Sequence, residues 1–92
     1  MEFVWDEAKN ETNIRKHGID FIDVRSTFSY PMVTFLDQRQ DYGEDRWVGI
    51  GLLKGIPIVV VFTEPDDETI RIISARKATR QEQKIYANEI QD

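Results

Sequence analysis

Ninety-two residues with seventeen Asp and Glu, twelve Lys and Arg, one His and no Cys make an acidic chain of net charge −5. That length is expected to hold a single domain spanning residues 1–92, and it excludes a second core. The missing thiols exclude disulfides and thiolate metal sites, a lone His argues against a His-built zinc centre, and the acidic balance argues against general nucleic-acid affinity. No apolar run approaches membrane-spanning length and the acidic, Asn-rich N-terminus does not read as a signal peptide, so a cytoplasmic location is expected.

Taken in chain order, Glu2–Trp5 reads as a short strand. Asp6 is a good N-cap for a helix running to about His17, with Gly18 as its left-handed stop. Inside that helix only Ala8 and Ile14 are clearly apolar, so it must pack weakly or use a polar face. Lys9, Asn13 and Lys16 share one such face, with His17 at its margin. Asp20 caps a second helix, Phe21 to about Phe28, whose Phe21, Val24 and Phe28 form a buried stripe. Tyr30-Pro31 ends it.

Four strands are expected next: Met32–Leu36, Arg46–Leu53, Ile56–Thr63 and Thr69–Arg76. A polar loop (Asp37–Asp45), a tight Lys54-Gly55 turn and an acidic turn (Glu64–Glu68) would join them as an antiparallel meander, with Ile56–Thr63 central. Thr79-Arg80-Gln81-Glu82 is a capping box opening a C-terminal helix to about Ile90. The fold class is therefore α+β: a short N-terminal strand, two helices, a four-stranded antiparallel meander and a final helix.

Charge is sorted along this chain. Thr69–Gln81 carries Arg71, Arg76, Lys77 and Arg80 and no acid; with its +4 set aside, the rest stands at −9. A local cationic patch on an acidic body suits an anion that docks in one place. Arg76 at a strand end and Arg80 in the next helical turn, beside a helix N-terminus, would make a phosphate cradle. The alternative is that Arg71 and Arg76 pair with Glu44 or Glu64. Strict alternation on the fourth strand puts Arg71, Ile73 and Ala75 on one face and Ile70, Ile72, Ser74 and Arg76 on the other.

On the second strand Trp47, Gly49 and Gly51 share a face. Glycines there are either a bulge or the floor of a groove that lets a partner approach the backbone. His17 is the side chain that ordinarily titrates nearest neutrality, a candidate proton carrier or simply a helix C-terminal cap. Tyr42 and Tyr86 could donate a proton. The acidic clusters lack calcium-loop spacing, so neither a metal nor another cofactor is expected.

Several motifs recur in order: Phe3-x-Trp5-Asp6-x-x-Lys9, Asn13-x-x-Lys16-His17-Gly18, Asp41-Tyr42-Gly43-Glu44-x-Arg46, Thr63-Glu64, and Ile70-Arg71-Ile72-Ile73-Ser74-Ala75-Arg76-Lys77-Ala78-Thr79 with Glu82 and Tyr86. With Phe21, Phe28 and Gly51, they make the chain resemble the BrnT family of type II toxin–antitoxin ribonucleases. The resemblance implies a RelE-like fold and a metal-independent endoribonuclease that inhibits translation. It also implies a BrnA-like antitoxin partner in a hetero-oligomer, whose ribbon-helix-helix part would carry any DNA binding.

In such an enzyme the RNA 2′-hydroxyl attacks the adjacent phosphorus. Arg71, Arg76 and Arg80 would supply cations with Lys9 in support, His17 or Glu64 the base, and Tyr86 or His17 the acid. The competing reading is a non-catalytic module in which the same patch, with Trp47, Gly49 and Gly51, docks a partner segment.

Overall fold

The computed structural model describes residues 1–39, 41 and 43–90. Among these, five strands form one mixed sheet: β1 (Glu2–Val4), β2 (Val33–Asp37), β3 (Arg46–Leu53), β4 (Ile56–Asp66) and β5 (Thr69–Lys77). Their spatial order is β1-β5-β4-β3-β2. The expected meander is present, but it is not the whole sheet. The N-terminal strand joins it as a parallel edge, with Phe3 beside Ile70.

The helices are α1 (Glu7–His17), α2 (Phe21–Val24) and α3 (Arg80–Ile90), and none is long and apolar enough to cross a membrane. α2 is shorter than its apolar stripe suggests. After one turn the chain tightens into a 3₁₀ segment, Arg25–Ser29. The Asp6 carboxylate caps α1 by accepting from the Ala8 and Lys9 N–H groups, and Gly18 closes it at φ 69°. Lys54 and Gly55 both take positive φ, which gives the β3–β4 turn a twist that suits a two-residue hairpin.

The acidic turn is shorter than expected, because β4 runs on to Asp66 and only Asp67-Glu68 reverse the chain. A register shift between Thr63 and Asp66 accommodates Pro65, which cannot donate to the ladder. A second shift has larger consequences: Val61 faces Ser74 but Phe62 faces Ile72, leaving Ile73 as an extra residue. The alternation changes phase there. Ile70, Ile72 and Ala75 all enter one core, while Arg71, Ser74 and Arg76 share the opposite face. The strict-alternation assignment is thereby corrected.

The main core lies between the sheet and the segment from α1 to the 3₁₀ turn. Phe21, Val24, Val60 and Ile72 are fully buried there, and Phe28 meets Phe62 edge-on at 5.0 Å. Gly49 and Gly51 face into this core. A Cβ on Gly49 would strike the Met32 sulfur, and one on Gly51 would lie 2.8 Å from Thr27 Cγ2. The glycines do leave room for a close approach, but the chain's own Met32 and Thr27 fill it. The expected open groove is absent and both positions are buried.

The polar helix α1 is explained by its buried residues, Asn10 and Asn13. β1 covers β5 only from Thr69 to Arg71, so the backbone of Ala75 needs another partner on that edge. Asn13 supplies one: its amide donates to the Ala75 carbonyl at 2.9 Å and accepts the Ala75 N–H at 3.0 Å. Asn10 accepts the Phe21 N–H and donates to Asp20, which caps α2.

Candidate functional site

α3 packs Ile85 and Tyr86 over Ile50, Val59 and Val48 on the second face of the sheet. It covers only part of that face. One cross-strand row, Phe35–Val48–Val61–Ser74, floors an uncovered hollow of about 560 Å³. His17, Arg39, Arg76 and Glu82 stand around it. A second hollow of about 330 Å³ runs between α1 and β5, edged by Lys9, Thr12, Lys16 and Ile73. His17 and Ser74 line both, so the two make one trough with the only histidine at its middle.

The charge along this trough is uneven. The α1 end carries Lys9 and Lys16 with no carboxylate among its described lining residues. At the other end each guanidinium is held by an acid. Arg76 donates from both terminal nitrogens to Glu82 at 2.8 Å. Glu82 also accepts the Thr79 N–H at 2.8 Å, and Thr79 Oγ1 accepts the Glu82 N–H, completing the expected capping box. The hydrogen bonds from Arg76 are the main reason the Glu82 carboxyl is held down at about 2, against a smaller opposing effect of burial. Arg76 is correspondingly raised, chiefly by Glu82, while burial and the charge of Arg39 oppose it.

The phosphate cradle expected at the start of α3 is thus already filled by an internal anion, Glu82. Its Arg80 is exposed on the first turn and is not among the residues lining the trough. For Arg76 the anticipated partners, Glu44 or Glu64, give way to Glu82, while Arg71 does pair with Glu44, at 3.5 Å. That pair is half-exposed and contributes about 0–1 kcal/mol.

Of the other anticipated residues, His17, Arg76 and Lys9 meet along the trough. Glu64 lies elsewhere, in an acid-rich hollow beside Glu44, Asp45, Asp66 and Asp67, with Trp47 in its wall. Tyr86 donates its hydroxyl to the Pro31 carbonyl at 3.2 Å and packs against the α3 cluster. Tyr42 lies outside the described residues.

Sequence reasoning passed over Asp37 and Arg39, placing both in the polar loop, whereas Asp37 is the last residue of β2. The spacing Asp-x-Arg directly after an alternating strand was the signal available. A further hollow, of about 860 Å³, is edged by Glu2, Asp66, Asp67 and Glu68 and would repel phosphate.

Residues 5–82 match the family model described as ribonuclease toxin, BrnT, of type II toxin–antitoxin systems. Among solved structures, the crystal structure of the Brucella abortus ribonuclease toxin, BrnT, is similar at a TM-score of 0.73 and 36% identity, covering 87% of this chain and 99% of that one. No curated protein matches.

Proposed function

Since the chain belongs to the BrnT family of ribonuclease toxins of type II toxin–antitoxin systems, we propose that it cleaves RNA without a metal, in the trough centred on His17. Family membership implies an antitoxin partner; we take it to be BrnA-like, with a ribbon-helix-helix part that carries the DNA contacts of the hetero-oligomer. The sheet with helices on both faces is taken as RelE-like, and the site of action as the cytoplasm, where translation would be inhibited.

The observation that carries this reading is the trough itself. A single titratable imidazole stands between a lysine-lined stretch and an arginine-lined one, on a chain that is otherwise acidic. His17 takes the proton of the 2′-hydroxyl, whose oxygen forms a bond to the neighbouring phosphorus. The P–O5′ bond breaks, the protonated His17 returns its proton to the leaving 5′-oxygen, and the product is a 2′,3′-cyclic phosphate beside a 5′-hydroxyl. Arg76 stabilises the extra charge on the phosphorane, and Lys9 holds a flanking phosphate. Arg71, Glu64 and Tyr86 receive no role in this step.

Two measurements test it. Induced expression in bacteria should arrest growth, and His17→Ala should relieve the arrest. Purified protein should cleave RNA in EDTA and leave cyclic phosphate ends, with Arg76→Ala slower by about 10²–10³. Loss of cleavage in EDTA, or 3′-hydroxyl ends, would overturn the mechanism.

A further inference from the structure

Asp37 closes β2 with its side chain only 2% exposed, while the side chain of Arg39, whose guanidinium it binds, is 76% exposed. Asp37 Oδ1 accepts from Arg39 Nε at 2.9 Å and from the Arg39 backbone N–H at 3.1 Å, and Oδ2 accepts from the terminal NH2 nitrogen at 2.9 Å. Burying a carboxylate is unfavourable unless it is paired and hydrogen-bonded. An apolar residue at the end of an edge strand would bring none of that cost. What the carboxylate achieves is placement: it fixes a long, otherwise mobile cationic side chain at one rim of the trough.

That rim faces Arg76. Both guanidiniums line the same hollow, over the floor of Phe35, Val48 and Val61. They are near enough for the charge of Arg39 to act on Arg76. The charge of Arg39 opposes that of Arg76 only slightly, since each is paired with its own carboxylate, and an anion between them would relieve that opposition. Asp37 engages the Nε fork of the Arg39 guanidinium, and a planar guanidinium matches the oxygens of a phosphate in geometry and charge.

We propose that Arg39, positioned by Asp37, is an RNA phosphate contact that lies across the hollow from Arg76 and fixes the strand running away from His17. The proposal rests on the ribonuclease reading of the trough. Arg39 is a binding residue here and Asp37 a positioning residue.

The test uses the full chain and a single-stranded 2′-O-methyl oligoribonucleotide, which lacks the attacking hydroxyl. Its Kd is measured across a series of salt concentrations. Arg39→Gln should weaken binding and flatten the slope of log K against log salt by about 0.7, the share of one phosphate contact on a single strand. Arg39→Lys, which keeps the charge, should restore the slope. A purely structural Arg39 would lower the unfolding midpoint and leave the slope unchanged, and that result overturns the proposal while the ribonuclease reading stands.

A second measurement needs no variant. Phenylglyoxal should modify Arg39 of the wild-type chain more slowly once the oligonucleotide is bound, with Arg25, on the opposite side of the sheet, as the unaffected reference. Equal modification with and without oligonucleotide would also overturn the proposal. If the wild-type chain shows no salt-dependent binding at all, the ribonuclease reading fails and this inference falls with it.

Discussion

Glu82 accepts hydrogen bonds from Arg76 and from the Thr79 backbone with one carboxylate, so it ties β5 to the first turn of α3. Its folded carboxyl is lowered from an ordinary 4.5 to about 2. A lowered carboxyl contributes stability that is fully present above its unfolded value and is lost as pH falls through the folded one. Wild type should therefore exceed Glu82→Gln in stability at neutral pH, and the gap should close as pH falls from about 4.5 to about 2. Urea unfolding at a series of pH values checks this; a gap independent of pH would contradict it. At this scale the sequence was only half legible. The capping box was readable because Thr79 and Glu82 lie three residues apart. The capture of Arg76 by the same Glu82 was not, because a side-chain pair across an element boundary leaves no periodic signature.

At the scale of elements, β3 and β5 show how one residue type or one inserted residue reverses an inference. Alternation correctly divided β3 into two faces, with Val48 and Ile50 beneath α3. It could not tell that the glycine face would be filled by Met32 and Thr27 from a segment some twenty residues earlier. Substitution should reveal the difference between those two fillers. Gly51→Ala should cost about 1–3 kcal/mol, because Thr27 is branched and fully buried and has nowhere to go. Gly49→Ala should cost less, because the unbranched Met32 side chain can move aside. Denaturant midpoints of the two variants test that order. On β5 the extra Ile73 carries Arg71 to the same face as Arg76, and no feature of the local sequence announces a bulge there.

Across the whole molecule, the electrostatic field favours one entrance. Acidic hollows flank the β4–β5 turn, while the α1 end of the trough collects Lys9, Lys16 and His17. Removing two acids from that turn, Asp67→Asn with Glu68→Gln, should speed RNA association at low salt by about two- to tenfold and leave cleavage of bound RNA unchanged. The gain should fade above ~0.1 M salt, where screening acts within about 10 Å. Stopped-flow association kinetics would show it. A change in the cleavage step itself would mean that the turn takes part in the chemistry.

The helix caps, the order of the elements, the central place of β4 and the sorting of charge were all set by the sequence alone. Each rests on interactions between residues close in the chain, where spacing is the physics. The parallel docking of β1, the buried amide bridge from Asn13 to Ala75, the closed glycine face and the pairing of every trough arginine with a carboxylate were decided only when distant segments met. Those contacts depend on which backbone edge is left unpaired and which side chain reaches it, and the packed chain alone determines both.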